Sequence, residues 1–428
     1  MHREVLLRTA VSTVRGFFEA VGGFSSVMGE WAETGRRRAS GGEPVPDPGP
    51  GWDEERVFFD GEAYFGAVLQ EIRNAHETVD LEMYIFEPDI VGHRVAEALL
   101  DAARRGVRIR VVVDGAGSSP WRPAFGRDFS AAGIRFRVYH ELPWDTLLRR
   151  SEPGRPRETL RQLANQVNRR DHRKLVVVDG RVAFTGSHNV YDPQCGGADG
   201  DPPWRDTSIR VTGDPVRELI EAFELVWRSP ETSKPRLLGK RLHRTRWGEL
   251  VLVRTNATRS LRSQGRAEFF RRMREARRRI WLTTGYFVPR PKLVSALSKA
   301  ASRGVDVRLV IPLRSDIAFM PWVSTAFYRP LRRAGVRIFE YLPRNMHAKS
   351  AVIDDWHAVG TTNLNHRSFI HDLELDVVVT APVAIEQLEE RFRRDLDESN
   401  EVTEEDASRH GPVRRAVGRA FLSIRHWL

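Results

Sequence analysis

At 428 residues with a formal charge of +11, the chain is long enough for two medium-sized lobes and favours an anionic partner. Charge alone leaves nucleic acid, an acidic small molecule and an anionic lipid surface all open. Cys195 is the only cysteine, which excludes an internal disulfide and a cysteine-rich zinc site.

Residues 4–31 place Leu7, Val11, Val14, Phe18 and Val21 at helical spacing. Arg8, Arg15 and Glu19 interrupt them, so the segment reads as an amphipathic helix, neither a bilayer span nor a signal peptide. Arg36-Arg37-Arg38 and the Gly/Pro run up to Gly51 read as a linker, which sets residues 1–51 apart from a globular region starting near Trp52.

From Trp52 on, the chain repeats itself. Leu81 to Pro88 (LEMYIFEP) is echoed by Leu282 to Pro289 (LTTGYFVP), and Ala102 to Gly115 (AARRGVRIRVVVDG) by Ala300 to Leu313 (AASRGVDVRLVIPL). Ala132 to Pro143 is likewise echoed by Ala334 to Pro343. Each half reads strand, helix, strand, helix, strand, an alternation that predicts an α/β lobe with a mostly parallel sheet flanked by helices. The boundaries expected are 52–246 and 247–402, with a linker from Ser229 to Arg246 and an arginine-rich insertion at 144–170 in the first half only. Residues 403–428 form a basic amphipathic pattern, with Val413, Val417, Phe421, Ile424 and Leu428 on one face. Both terminal helices are therefore expected to bind a membrane surface.

Within the repeats, His172-x-Lys174-x4-Asp179 returns as His347-x-Lys349-x4-Asp354, and each copy runs into a Gly-Ser/Thr-x-Asn tetrad that supplies Asn189 or Asn363. Only six of the 68 basic residues are lysine, so Lys174 and Lys349 come from a scarce type. Period-2 alternation points His172 and Lys174 to one side of a strand. Displacement at a phosphodiester uses one imidazole to attack phosphorus, a second to protonate the leaving oxygen, and cations around the phosphate. Each motif supplies half of such a site. Asp206 and Glu374, some way beyond the motifs, are expected to fix the imidazole tautomers.

Tyr84 and Tyr286 stand in matching places and read as strand-end packing, while His188, His357, His366 and His371 read as structural or exposed. The segments 118–129 and 317–328 each follow a strand, where ligands of open α/β sheets sit, and the second is apolar enough to suit acyl chains.

The doubled motif resembles that of the phospholipase D superfamily, and from about Val57 to Leu388 the chain resembles bacterial cardiolipin synthases, more the type without N-terminal membrane-spanning helices. The resemblance implies two pseudo-twofold-related lobes meeting at one site, with His172, Lys174, Asp179, His347, Lys349 and Asp354 as the catalytic set. In that set His172 would form a phosphohistidine and His347 would act as general acid and then base, while Asp179 and Asp354 order the motifs. Lys174, Lys349, Asn189 and Asn363 would hold the phosphoryl oxygens, and Asp206 and Glu374 would orient the histidines. No metal or cofactor is implied. The activity implied is phosphatidyl transfer between two phospholipids, with phosphatidylglycerol as donor, at the cytoplasmic face of a bacterial membrane. A lipid hydrolase and a nuclease share the motifs. Amphipathic ends without an aromatic single-strand platform make nucleic acid the less expected partner. Two departures stand out: five residues, not six, separate Asp354 from Gly360, leaving room for a one-residue shift of the second tetrad, and Asn365 replaces the usual aspartate.

Overall fold

Short β-branched runs alternate with capped amphipathic helices, and the computed structural model, which describes residues 51–142, 168–196, 201–228 and 251–404, assembles them into two large sheets. Both terminal amphipathic segments, the linker at 229–246 and all of the insertion before residue 168 lie outside the described residues. The first sheet is built from β1 (Glu55–Phe58), β2 (Thr78–Met83), β3 (Arg108–Asp114), β4 (Arg135–Tyr139), β5 (Lys174–Val178), β6 (Val182–Gly186) and β7 (Ser208–Thr212). Its helices are α1 (Gly61–Asn74), α2 (Ile90–Arg104), α3 (Trp121–Ala131) and α4 (Val216–Trp227). Asp60 and Asp89 start α1 and α2 by accepting from Ala63 N and Gly92 N, each at 2.9 Å.

The strand order is β1-β7-β6-β5-β2-β3-β4. The helical crossovers make β2, β3 and β4 parallel, whereas the tight turn at Asp179-Gly180 makes β5 and β6 an antiparallel hairpin. Because the antiparallel pairing then alternates through β7 and β1, only β5 and β7 run against the rest, and the sheet stays mostly parallel in strand direction.

The second sheet repeats the plan with β8 (Val253–Thr255), β9 (Arg279–Thr283), β11 (Asp306–Pro312), β12 (Arg337–Tyr341), β13 (Ser350–Ile353), β14 (Trp356–Gly360), β16 (Leu375–Val379) and β17 (Ser399–Glu401). A small parallel pair, β10 (Phe287–Val288) and β15 (Leu364–Asn365), lies apart. Its helices are α5 (Arg259–Glu275), α6 (Pro291–Ser302), α7 (Met320–Thr325), α8 (Tyr328–Arg333), α9 (His366–Ile370) and α10 (Pro382–Asp397). One apolar layer joins the lobes, with Leu175, Val177, Ile209 and Val211 of the first packed in the same core as Leu375 and Val377 of the second. Trp52 adds a directed tie by donating from Nε1 to Val378 O at 2.9 Å.

Asp179 and Asp354 close the motif hairpins with left-handed backbones, each at φ 50°. The Asp179 carboxylate accepts from the main-chain N–H groups of His76, Glu77 and Thr78 at 2.8–3.0 Å, and Asp354 takes Arg277, Arg278 and Arg279 in the same way. Partial burial would raise both carboxyls, but those N–H donors win and hold them below the usual aspartate range. Their stabilisation is complete above the unfolded-state pKa of ~3.9 and is lost as pH falls through the depressed folded value. Asp179→Ala should cost about 2 kcal/mol, chiefly because the main-chain N–H groups of His76, Glu77 and Thr78 lose their acceptor. Asp179→Asn should cost less and should flatten the acid-induced loss of stability below about pH 4, as read by urea unfolding midpoints.

Candidate active site

Two symmetric cross-lobe bridges build the centre. Asp171 pairs with Leu373, and Arg205 pairs with Met346. His172 N donates to Leu373 O at 3.0 Å and His347 N to Arg205 O at 2.8 Å, so each motif histidine is pinned to the main chain of the opposite lobe. The residue after each bridge supplies its partner. His172 Nδ1 lies 3.1 Å from Glu374 Oε2, and His347 Nδ1 lies 3.1 Å from Asp206 Oδ1. Each carboxylate therefore serves the histidine of the other repeat and fixes its tautomer at Nδ1, which leaves Nε2 of each ring outside that bond.

The two imidazole rings sit with centroids 6.3 Å apart at 74°. Around them Lys174 Nζ donates to His172 O at 2.7 Å, and Lys349 Nζ donates to His347 O. Asn189 Oδ1 accepts from Ile85 N at 3.2 Å, and Asn363 Oδ1 accepts from Tyr286 N at 3.3 Å. Holding the amide oxygens leaves the NH2 ends to donate to a ligand. The shared geometry also shows that the shorter spacing before Gly360 leaves Asn363 in register with Asn189. Asn365, in place of an aspartate, caps α9 by accepting from Ser368 N at 2.9 Å.

Asp179 and Asp354 are not brought to the imidazoles. Each lies at the far end of its strand, on the order of 17 Å from the motif lysine at ~3.3 Å per residue, so their role is to order the hairpin. Two residues read from sequence as packing line the site instead: the Tyr84 ring lies 4.8 Å from His172 and the Tyr286 ring 5.9 Å from His347. Tyr84 also lies under Lys174 Nζ at 5.0 Å, and Tyr286 donates to Asp316. Trp204, 6.1 Å from His347, went unnoticed in the sequence, although its place two residues before Asp206 was a usable signal. His188 is structural as expected, buried and stacked on Tyr64 at 4.7 Å. The 118–129 segment is mostly α3, with Trp121, Phe125 and Phe129 in the core.

The electrostatics break the symmetry. Burial pushes Glu374 well above the ordinary carboxyl range, with Lys174 only partly opposing it. Burial acts on Asp206 too, but the His347 imidazole outweighs it and holds that carboxyl below its usual range. His172 is driven well below the usual imidazole pKa by burial and by Lys174 and Lys349. His347 is lowered by burial and Lys349 but has Asp206 pulling the other way. A neutral imidazole at 172 thus faces one at 347 backed by an ionised carboxylate, a set suited to attack on one side of a phosphorus and proton donation on the other. No cluster of three or more His, Cys, Asp or Glu placed to hold a metal occurs among the described residues.

Residues 68–195 and 269–396 both match the family model for the cardiolipin synthase, phospholipase D-like domain. The chain is 31% identical to cardiolipin synthase A of Pseudomonas putida strain W619, over 83% of this chain and 71% of that protein. It is 27% identical to cardiolipin synthase of Clostridium perfringens strain SM101, over 86% and 75% respectively. Among solved structures, phosphatidylserine synthase of Haemophilus influenzae superposes with a TM-score of 0.63 at 12% identity, covering 87% of this chain and 95% of that one. At that identity the last likeness concerns the fold.

Proposed function

The chain belongs to the phospholipase D-like cardiolipin synthase family and is a phosphatidyl-transferring enzyme, and on that premise we propose that it joins two phosphatidylglycerol molecules through a phosphohistidine at His172. The observation that carries this reading is the pair of rings 6.3 Å apart, each backed by a carboxylate from the opposite lobe. The His172 Nε2 lone pair forms a P–N bond as the P–O bond to the head-group glycerol breaks, and His347 gives its proton to the departing oxygen. The glycerol hydroxyl of a second phosphatidylglycerol then loses its proton to His347 and attacks phosphorus, and the P–N bond breaks. The products are cardiolipin and free glycerol. The two lysines and the Asn189 and Asn363 amides supply fixed positive ends for the phosphoryl oxygens throughout.

No described helix is long and apolar enough to cross a membrane. The location we propose, peripheral on the cytoplasmic face, rests instead on the basic amphipathic sequence patterns at 4–31 and 403–428, which would serve as the anchors.

Purified protein incubated with phosphatidylglycerol liposomes should yield cardiolipin and glycerol in equal amounts, read by mass spectrometry. Phosphatidic acid as sole product would replace the proposal with a hydrolase, and cleaved DNA with untouched lipid would replace it with a nuclease.

Burial pulls Lys174 down to about 8 against the opposing pull of Glu374 and Asp206. The charge that receives the phosphate is present below that value and lost as pH rises through it. KM for phosphatidylglycerol should therefore climb up to about tenfold for each pH unit above 8, more steeply than kcat falls. A flat KM up to pH 10 would contradict this.

A further inference from the structure

The lobes share one pattern of strand pairing, which equates their positions independently of the motif. Leu81, Val176, Phe184 and Arg210 lie side by side across β2, β5, β6 and β7, as Leu282, Ala351, Ala358 and Val378 do across β9, β13, β14 and β16. In the same way Gly186, Ser208 and Phe58 correspond to Gly360, Asp376 and Arg254. Counting back from Ala75 and Ala276, the residues that cap the C-terminal ends of α1 and α5, Tyr64 corresponds to Gly265. His188 and Thr362, each just before a motif asparagine, are the last such pair.

In the first lobe these positions are filled by an aromatic stack. Tyr64 lies on His188 at 4.7 Å and meets Phe58 and Phe184 edge-on at 5.8 and 5.9 Å, with all four side chains buried. In the second lobe the same four positions hold Gly265, Thr362, Arg254 and Ala358, and all four line a cavity of about 90 Å³ that opens to solvent. A Cβ built on Gly265 would meet only Arg254 Nη2, at 3.8 Å. Leu261, Phe269, Leu282, Trp356, Leu364 and Phe369 supply most of the wall. The volume is several times the space one water needs, and packed interiors do not keep such holes cheaply.

The mouth is cationic. Arg262 and Arg266 of α5 line it, and Arg169 adjoins them. Among the described residues their guanidinium groups are held by main-chain carbonyls, those of Ala257, His371 and Phe369 included, rather than by carboxylates. Burial and the neighbouring Arg169 and Arg266 charges pull Arg262 down to about 10, with Asp372 only partly opposing them. At the inner end stand Lys349 and Glu374 of the catalytic centre.

We propose that this cavity takes one acyl chain of an anionic amphiphile, whose acidic group rests on Arg169, Arg262 and Arg266. Apolar walls take the chain and the arginine cluster takes the head, so a neutral hydrocarbon or a polar solute would each leave half the site unused. The proposal rests on the emptied lobe core and holds whichever phosphodiester the histidines act upon.

Full-length protein titrated with 9,10-dibromostearate should show saturable quenching of tryptophan fluorescence, reduced in Trp356→Phe because that indole lines the wall. Gly265→Tyr combined with Ala358→Phe, which restores the first lobe's filling, should weaken binding at least tenfold. Should that variant unfold, Arg262→Gln with Arg266→Gln serves instead and should weaken binding about tenfold at low salt, an effect that raised salt imitates on the wild type. Displacement of the probe by phosphatidylglycerol would assign the chain to the reacting lipid, and simultaneous binding would assign it to a separate lipid; both outcomes uphold the site. Absence of saturable quenching in the wild type, or equal affinity in both double variants, would overturn it.

Discussion

His172→Ala is expected to lower phosphatidyl transfer on the order of 10⁴-fold or more, because in the proposed mechanism His172 alone forms the P–N bond. His347→Ala should be nearly as damaging with phosphatidylglycerol, yet the two variants should separate when the leaving group needs no proton. With a p-nitrophenyl ester of phosphatidic acid, His347→Ala should release a burst of one nitrophenol per enzyme and then stall, since nothing deprotonates the acceptor. His172→Ala should release none. The assignment follows from the carboxylates: an imidazolium at 347 is supported by the ionised Asp206, whereas Glu374 is pushed towards its neutral form behind His172. A burst from His172→Ala with none from His347→Ala would reverse the roles.

The repeat, the strand-helix alternation and the two His/Lys pairs were all legible in the sequence, because each is a local pattern written twice. What the sequence hid was the crossing of partners. Asp206 follows the first motif and Glu374 the second, and nothing local says that each will serve the other's histidine; that is decided by the bridges from Asp171 to Leu373 and from Arg205 to Met346. Tyr84 and Tyr286 were misread for a related reason. A strand-end tyrosine has the same local signature whether its ring meets the core or an imidazole, and only the second lobe supplies the imidazole's position. The cavity beside α5 escaped notice because it depends on comparing side-chain volumes at positions aligned by strand pairing, as with Tyr64 and Gly265.

Arg173, between the motif His and Lys, carries the second large expectation. Its side chain has no exposed surface, and its guanidinium pairs with Glu82, with Asp171 Oδ1 at 3.2 Å and with Ala222 O at 3.0 Å. Arg173→Met should destabilise the fold by about 3–5 kcal/mol, since it strands two buried carboxylates against each other. That is a large part of the ~5–15 kcal/mol by which domains are usually stable. The loss should reach the site as well, because Asp171 makes the bridge that sets His172 beside Glu374. Arg173→Lys should recover little, as one ammonium cannot reproduce a fork shared among three acceptors. Neutralising the stranded acids, with Glu82→Gln and Asp171→Asn added to Arg173→Met, should recover most of the urea midpoint but not the activity. If Arg173→Met unfolds at the wild-type urea concentration, the buried network is not what holds the first motif in place.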